Sequence, residues 1–124
     1  MEGSRKVITI KATVKEVIRN YLIFTKPLSK LRPKEIDLLT EILYFNHRET
    51  PNFKREDDRW KKVFDYESKM IYKKALDIED YTLQNLLTGL RKKKVVENNQ
   101  VKKAFIPDLS KDNLMLIFNF KVIG

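Results

Sequence analysis

Gly89 is the only glycine between Gly3 and Gly124, so the chain has no glycine-rich loop of the kind that cradles phosphates. Prolines number four and are scattered, and neither a Gly/Ser-rich linker nor a repeat in the range of roughly 20 to 50 residues interrupts the pattern. The chain therefore reads as one continuously structured unit. Its 124 residues, 42% of them apolar, suffice for a single core.

Helical spacing dominates the first three quarters. Thr13, with Glu16 three residues on, has the form of a capping box, and Val14, Val17, Ile18, Tyr21 and Leu22 follow at helical offsets, which predicts a first helix to about Phe24. Pro33 suits the first turn of a second helix with Ile36, Leu39, Ile42, Leu43 and Phe45 on one side. The polar, proline-containing stretch 47–60 reads as a connection. Val63, Tyr66, Met70, Ile71 and Leu76 then predict a third helix beginning near Asp58. Asp80 is placed to cap a fourth, from Tyr81 to about Lys93, with Leu83, Leu86, Leu87 and Leu90 at offsets of three and four.

Three segments carry strand signals. Val7 to Ala12 alternates apolar and polar residues, as a short strand or extended arm does. Residues 95–107 hold two short β-prone runs joined by Asn98 and Asn99, which tolerate the positive φ of a tight hairpin turn. Leu114 to Val122 sets Leu116, Phe118, Phe120 and Val122 against Asn119 and Lys121, a further strand. The expected class is α+β, mainly α: about four helices, a C-terminal hairpin and one more strand.

That order, and the stretch Leu76 to Val96 in particular, resembles the winged helix-turn-helix family. Leu76, Ile78, Thr82, Leu83, Leu90, Lys93 and Val95 take places that match its turn, recognition helix and approach to the wing, while Asp77 and Lys94 stand where glycine is common. The resemblance spans residues 33–122. It implies a winged-helix domain over 33–124 preceded by an N-terminal arm and helix over 1–32. It also implies binding of double-stranded DNA in transcriptional or replication control, and a homodimer formed through terminal helices, for which the first helix has an apolar face.

If Leu83, Leu87 and Leu90 face the core, Tyr81, Gln84, Asn85 and Thr88 face outward. Gln and Asn pair bidentately with adenine in the major groove, whereas Tyr and Thr contact phosphate or a thymine methyl; together with Thr82 these are the candidate base-facing residues. Charge supports a polyanionic partner. The chain carries +9 at pH 7, and residues 91–103 alone hold six bases against one acid. Arg91, Lys92, Lys93, Lys94, Lys102 and Lys103 would crowd the end of the recognition helix and the wing, where phosphates are met. A helix dipole also attracts cations to the last turn, but that does not account for Lys102 and Lys103.

Asp77, Glu79 and Asp80 oppose this reading, because they lie at the end of the helix that normally enters the groove. A second expectation therefore stands beside the first: a winged-helix protein-interaction module in a larger assembly, such as a phage virion, whose strand edges extend a partner's sheet. Lys- and Asn-rich usage suits a phage or an AT-rich bacterial genome.

Other chemistry has little to work with. The chain lacks cysteine and has one histidine, His47, so disulfides, thiolate sites and His-pair metal sites are excluded, and no cofactor is expected. Asp57 and Asp58 read as residues of a helix start, and the aromatics Tyr21, Tyr44, Phe45, Trp60, Phe64, Tyr66 and Tyr72 as core and rim. Without a glycine loop or a nucleophile, base and orienting residue that can be named together, no enzymatic activity is expected. The apolar stretch VITI is too short for a signal-peptide core and no stretch reaches the roughly 18 apolar residues of a membrane span, so a cytoplasmic protein is expected.

Overall fold

The computed structural model describes residues 11–26, 30–110 and 122–123. Its first helix, α1 (Val14–Phe24), starts where the capping box was expected: the Thr13 hydroxyl accepts from the Glu16 amide at 3.2 Å and the Glu16 carboxylate accepts from the Thr13 amide at 3.0 Å. Ile18 and Leu22 are its buried residues. They enter the same apolar core as the long helix α2 (Pro33–Glu49), on which α1 packs.

Helix α2 is the central element. It starts with Pro33, whose missing N–H costs nothing in a first turn. Ile36, Leu39, Ile42, Leu43 and Phe45 are buried as their spacing predicts, and so are Leu38, Glu35, Thr40 and Asn46, because helices pack on more than one side of it. Thr40 and Asn46 among these have partners: Thr40 donates to the Ile36 carbonyl at 2.7 Å within the helix, and Asn46 accepts from Arg59 Nε at 2.7 Å.

The single helix predicted from Asp58 is two. After a 3-10 turn at Thr50–Asn52, α3 (Glu56–Val63) ends at Phe64 and α4 (Tyr66–Leu76) begins anew. Asp65 makes the break: its carboxylate accepts from the Ser68 amide at 2.8 Å and caps α4. The carbonyls freed at the end of α3 are recovered by side chains, Lys62 by the Ser68 hydroxyl at 2.5 Å and Val63 by the Tyr72 hydroxyl at 2.7 Å. Burial pushes the Tyr72 phenol far above its ordinary pKa, with the Asp65 charge adding to the shift. Tyr66, Met70 and Ile71, whose spacing marked the expected helix, stand out in solvent, and Tyr66, read as core or rim, is 75% exposed.

Helix α5 (Asp80–Lys92) buries Leu83, Leu86, Leu87 and Leu90. Its cap position is Glu79, not Asp80, and no side-chain cap bond forms there; Asp80 instead accepts from Lys73 Nζ at 3.4 Å. A hairpin follows. Strands β1 (Val96–Glu97) and β2 (Gln100–Val101) pair antiparallel, Val96 opposite Val101 and Glu97 opposite Gln100. Asn98 and Asn99 both have positive φ, 53° and 54°, as a two-residue hairpin turn of type I′ requires. Val96 and Val101 point into the core. The chain then makes a 3-10 turn at Lys103–Phe105 and runs back past α1, where the Tyr21 hydroxyl donates to the Ala104 carbonyl at 3.1 Å.

Of the other two strand expectations, residues 7–10 of Val7–Ala12 and residues 114–121 of Leu114–Val122 lie outside the described residues; Lys11, Ala12 and Val122 belong to no element. No helix among the described residues is long and apolar enough to cross a membrane.

Candidate nucleic-acid interface

Helices α4 and α5 are joined by three residues, and two non-glycine residues shape this joint and the exit from α5. Asp77 adopts left-handed backbone (φ 52°), which lets the Ile78 amide reach the Lys73 carbonyl at 3.0 Å and the Asp77 amide the Lys74 carbonyl at 3.3 Å. Lys94 repeats this at the end of α5: with φ 60°, it directs the Val95 amide to the Leu90 carbonyl at 3.0 Å and its own amide to the Arg91 carbonyl at 3.0 Å. Both are Schellman terminations, which glycine usually makes. They fall at the two positions where the resembled family commonly has glycine.

These terminations set the presentation of α5. With its four leucines inward, the outward stripe runs Tyr81, Gln84, Asn85, Thr88, Arg91, Lys92, and every one of these residues is exposed; Tyr81 is 76% exposed. Thr82 is half-buried beside the stripe. The Thr88 hydroxyl donates back to the Gln84 carbonyl at 2.9 Å.

The six basic residues do not form one equivalent set. Arg91, Lys92, Lys94 and Lys103 are exposed and pair with no carboxylate among the described residues. Lys102, just past β2, is exposed but forms an ion pair with Glu97 at 3.2 Å. Lys103 lies on the 3-10 turn rather than on a wing strand.

Lys93 turns the other way, into the protein. Its Nζ meets Glu35 Oε1 at 2.5 Å, and Glu35, 0% exposed, also accepts from the Arg32 amide at 2.8 Å and the Arg32 guanidinium at 3.4 Å. Burial pushes the Glu35 carboxyl upward, but the Lys93 and Arg32 bonds together outweigh it and hold its pKa below the ordinary value. The pair ties the start of α2 to the end of α5. Gly89 packs over it: a Cβ at that position would run into the Glu35 carboxylate. Sequence reasoning missed this cluster, because Glu35 looks like an ordinary first-turn acid and Lys93 like one more member of a basic run.

Asp77, Glu79 and Asp80 are exposed, as the objection from charge requires. A cleft of about 320 Å³ separates the hairpin turn from the start of α3, but its lining holds Arg55 and Lys61 as well as Asp57 and Asp58, so it offers no net charge to an anion. Among the described residues no group of three or more His, Asp or Glu side chains converges as a metal site would require.

No family model, curated protein or solved structure matches the chain.

Proposed function

We propose that the chain is a winged helix-turn-helix protein that binds double-stranded DNA, with α4 and α5 as the helix pair and the Val96–Val101 hairpin as the wing, in transcriptional or replication control. The observation that carries this reading is the outward stripe of α5, whose polar residues Gln84, Asn85 and Thr88 run directly into exposed cations at Arg91, Lys92 and Lys94. Side chains that discriminate bases thus stand next to side chains that neutralise phosphates, the division of labour of a duplex reader. The left-handed Asp77 and Lys94, at the family's glycine positions, support the motif.

Fluorescence-anisotropy titration against random and genomic duplexes at several salt concentrations tests it, with a charge-matched basic protein as control. Tight binding to a subset of sequences that survives moderate salt is the expected result. Weak, sequence-blind binding that vanishes with salt would overturn it.

One observation favours a second reading, a protein-interaction module. Tyr66, Met70 and Ile71 on α4 and Tyr81 on α5 are large apolar side chains left in solvent, and a partner protein would cover them. Co-purification with a protein partner in high salt is its expected signature.

A further inference from the structure

The outward stripe of α5 is polar in a directional sense. At its N-terminal end stand the exposed acids Asp77, Glu79 and Asp80; in its middle are the neutral Gln84, Asn85 and Thr88; at its C-terminal end are Arg91 and Lys92, with Lys94 beyond. At 1.5 Å per residue, Asp80 and Lys92 are roughly 18 Å apart along the helix axis, about two screening lengths at physiological salt. The cations therefore do not neutralise the acids from that distance. Lys73 reaches Asp80, at 3.4 Å, but neither Asp77 nor Glu79 has a basic partner among the described residues.

A helix that entered the major groove N-terminus first would bring these uncompensated acids against the phosphates on both sides of the groove. Resting on the duplex-DNA reading, we propose the reverse orientation. The C-terminal half of α5 and the hairpin side approach the duplex, Arg91, Lys92, Lys94 and Lys103 hold the sugar-phosphate backbone, and bases are read from Asn85 and Thr88 outward. Tyr81 and the two acids, Asp77 and Glu79, stay clear of the DNA. Their local roles are compatible with this, since Asp77 only shapes the helix end through its backbone and Glu79 makes no side-chain cap bond.

The test uses the full chain and a fluorescein-labelled random duplex of about 20 base pairs, a length that spans two turns. Asp77→Asn combined with Glu79→Gln removes the two acids while keeping residue shape, and asparagine tolerates the left-handed backbone at residue 77. With the acids outside the interface, affinity at physiological salt changes less than about twofold, whereas Lys92→Gln with Lys94→Asn weakens it about tenfold or more. A tenfold tightening on removal of the acids would place them in the groove and overturn the orientation, while leaving DNA binding intact.

Because the chain has no cysteine, a single one can carry a tethered iron chelate that cleaves nearby DNA strands. Stronger cleavage from Lys103→Cys than from Tyr81→Cys is expected; the opposite pattern overturns the proposal. Wild-type protein that binds the duplex no better than the charge-matched control would bring down the DNA reading and the orientation with it.

Discussion

The carboxylate of Glu35 lies against the bare Cα of Gly89, so that a Cβ there would run into Glu35 Oε2 and come within 3.3 Å of the Arg32 guanidinium. Glycine is here a matter of space. Helical backbone at residue 89 needs no glycine, and alanine would ordinarily stabilise a helix interior by about 1 kcal/mol. Gly89→Ala should instead destabilise the protein by about 2 kcal/mol, the cost of overpacking a filled site. Denaturant melts of Gly89→Ala alone and in a Glu35→Ala background check this: in the second setting the loss should vanish or reverse.

Glu35 also predicts an acid limit to stability. Its folded pKa lies below the ordinary carboxylate value because Lys93 and Arg32 outweigh the effect of burial, so its contribution is present above that ordinary value and is lost as pH falls through the folded one. Asp65 acts in the same window: burial raises it, and the Ser68 and Lys62 bonds more than reverse that. Melting temperature against pH should therefore fall on the acid side, and Glu35→Gln should flatten part of that fall. At neutral pH the substitution should cost about 2 kcal/mol, less than a wholly buried pair, because Lys93 can turn its ammonium to water.

Lys93 should separate from its neighbours in experiment. Lys92→Gln or Lys94→Asn should not lower the melting temperature but should lower the salt slope of duplex binding by about 0.9 for each phosphate left without its cation. Lys93→Gln should lower the melting temperature first, since it uncouples a buried carboxylate. Equal salt-slope changes for all three residues, with no loss of stability for Lys93→Gln, would contradict the division.

Asp77 and Lys94 hold left-handed backbone at a cost of about 1 kcal/mol or more that glycine would not bear. After the entropy glycine loses on folding is deducted, Asp77→Gly or Lys94→Gly should stabilise the fold by about 0.5–1 kcal/mol, readable as a higher denaturation midpoint at unchanged m-value. A loss of stability would mean that the side chains, not only the backbone, matter at these corners.

Asp65→Ala tests the corner between α3 and α4. Removing the cap should cost about 1 kcal/mol and free the Ser68 amide, with faster hydrogen exchange at the start of α4 as its local signature.

What the chain declares by itself is local. The Thr13–Glu16 capping box, Pro33, the leucines of α5 and the Asn98–Asn99 turn are each legible because the partners that satisfy them lie within a few residues, so spacing alone specifies the geometry. The break at Asp65 was also written locally, but apolar periodicity runs on through it, and only packing shows that Ser68 and Tyr72 recover the carbonyls it frees. The candidate interface divides along the same line. Outward Tyr81, Gln84, Asn85 and Thr88 follow from helical phase, whereas the inward turn of Lys93 depends on Glu35, 58 residues away in sequence. No run of adjacent residues can encode that contact, because it exists only once α5 has docked on α2 and enclosed a carboxylate that must then find its cation. Tertiary structure also decided where the chain spends its single helical glycine: among the described residues five non-glycine residues take the left-handed corners, and Gly89 makes room for a buried charge.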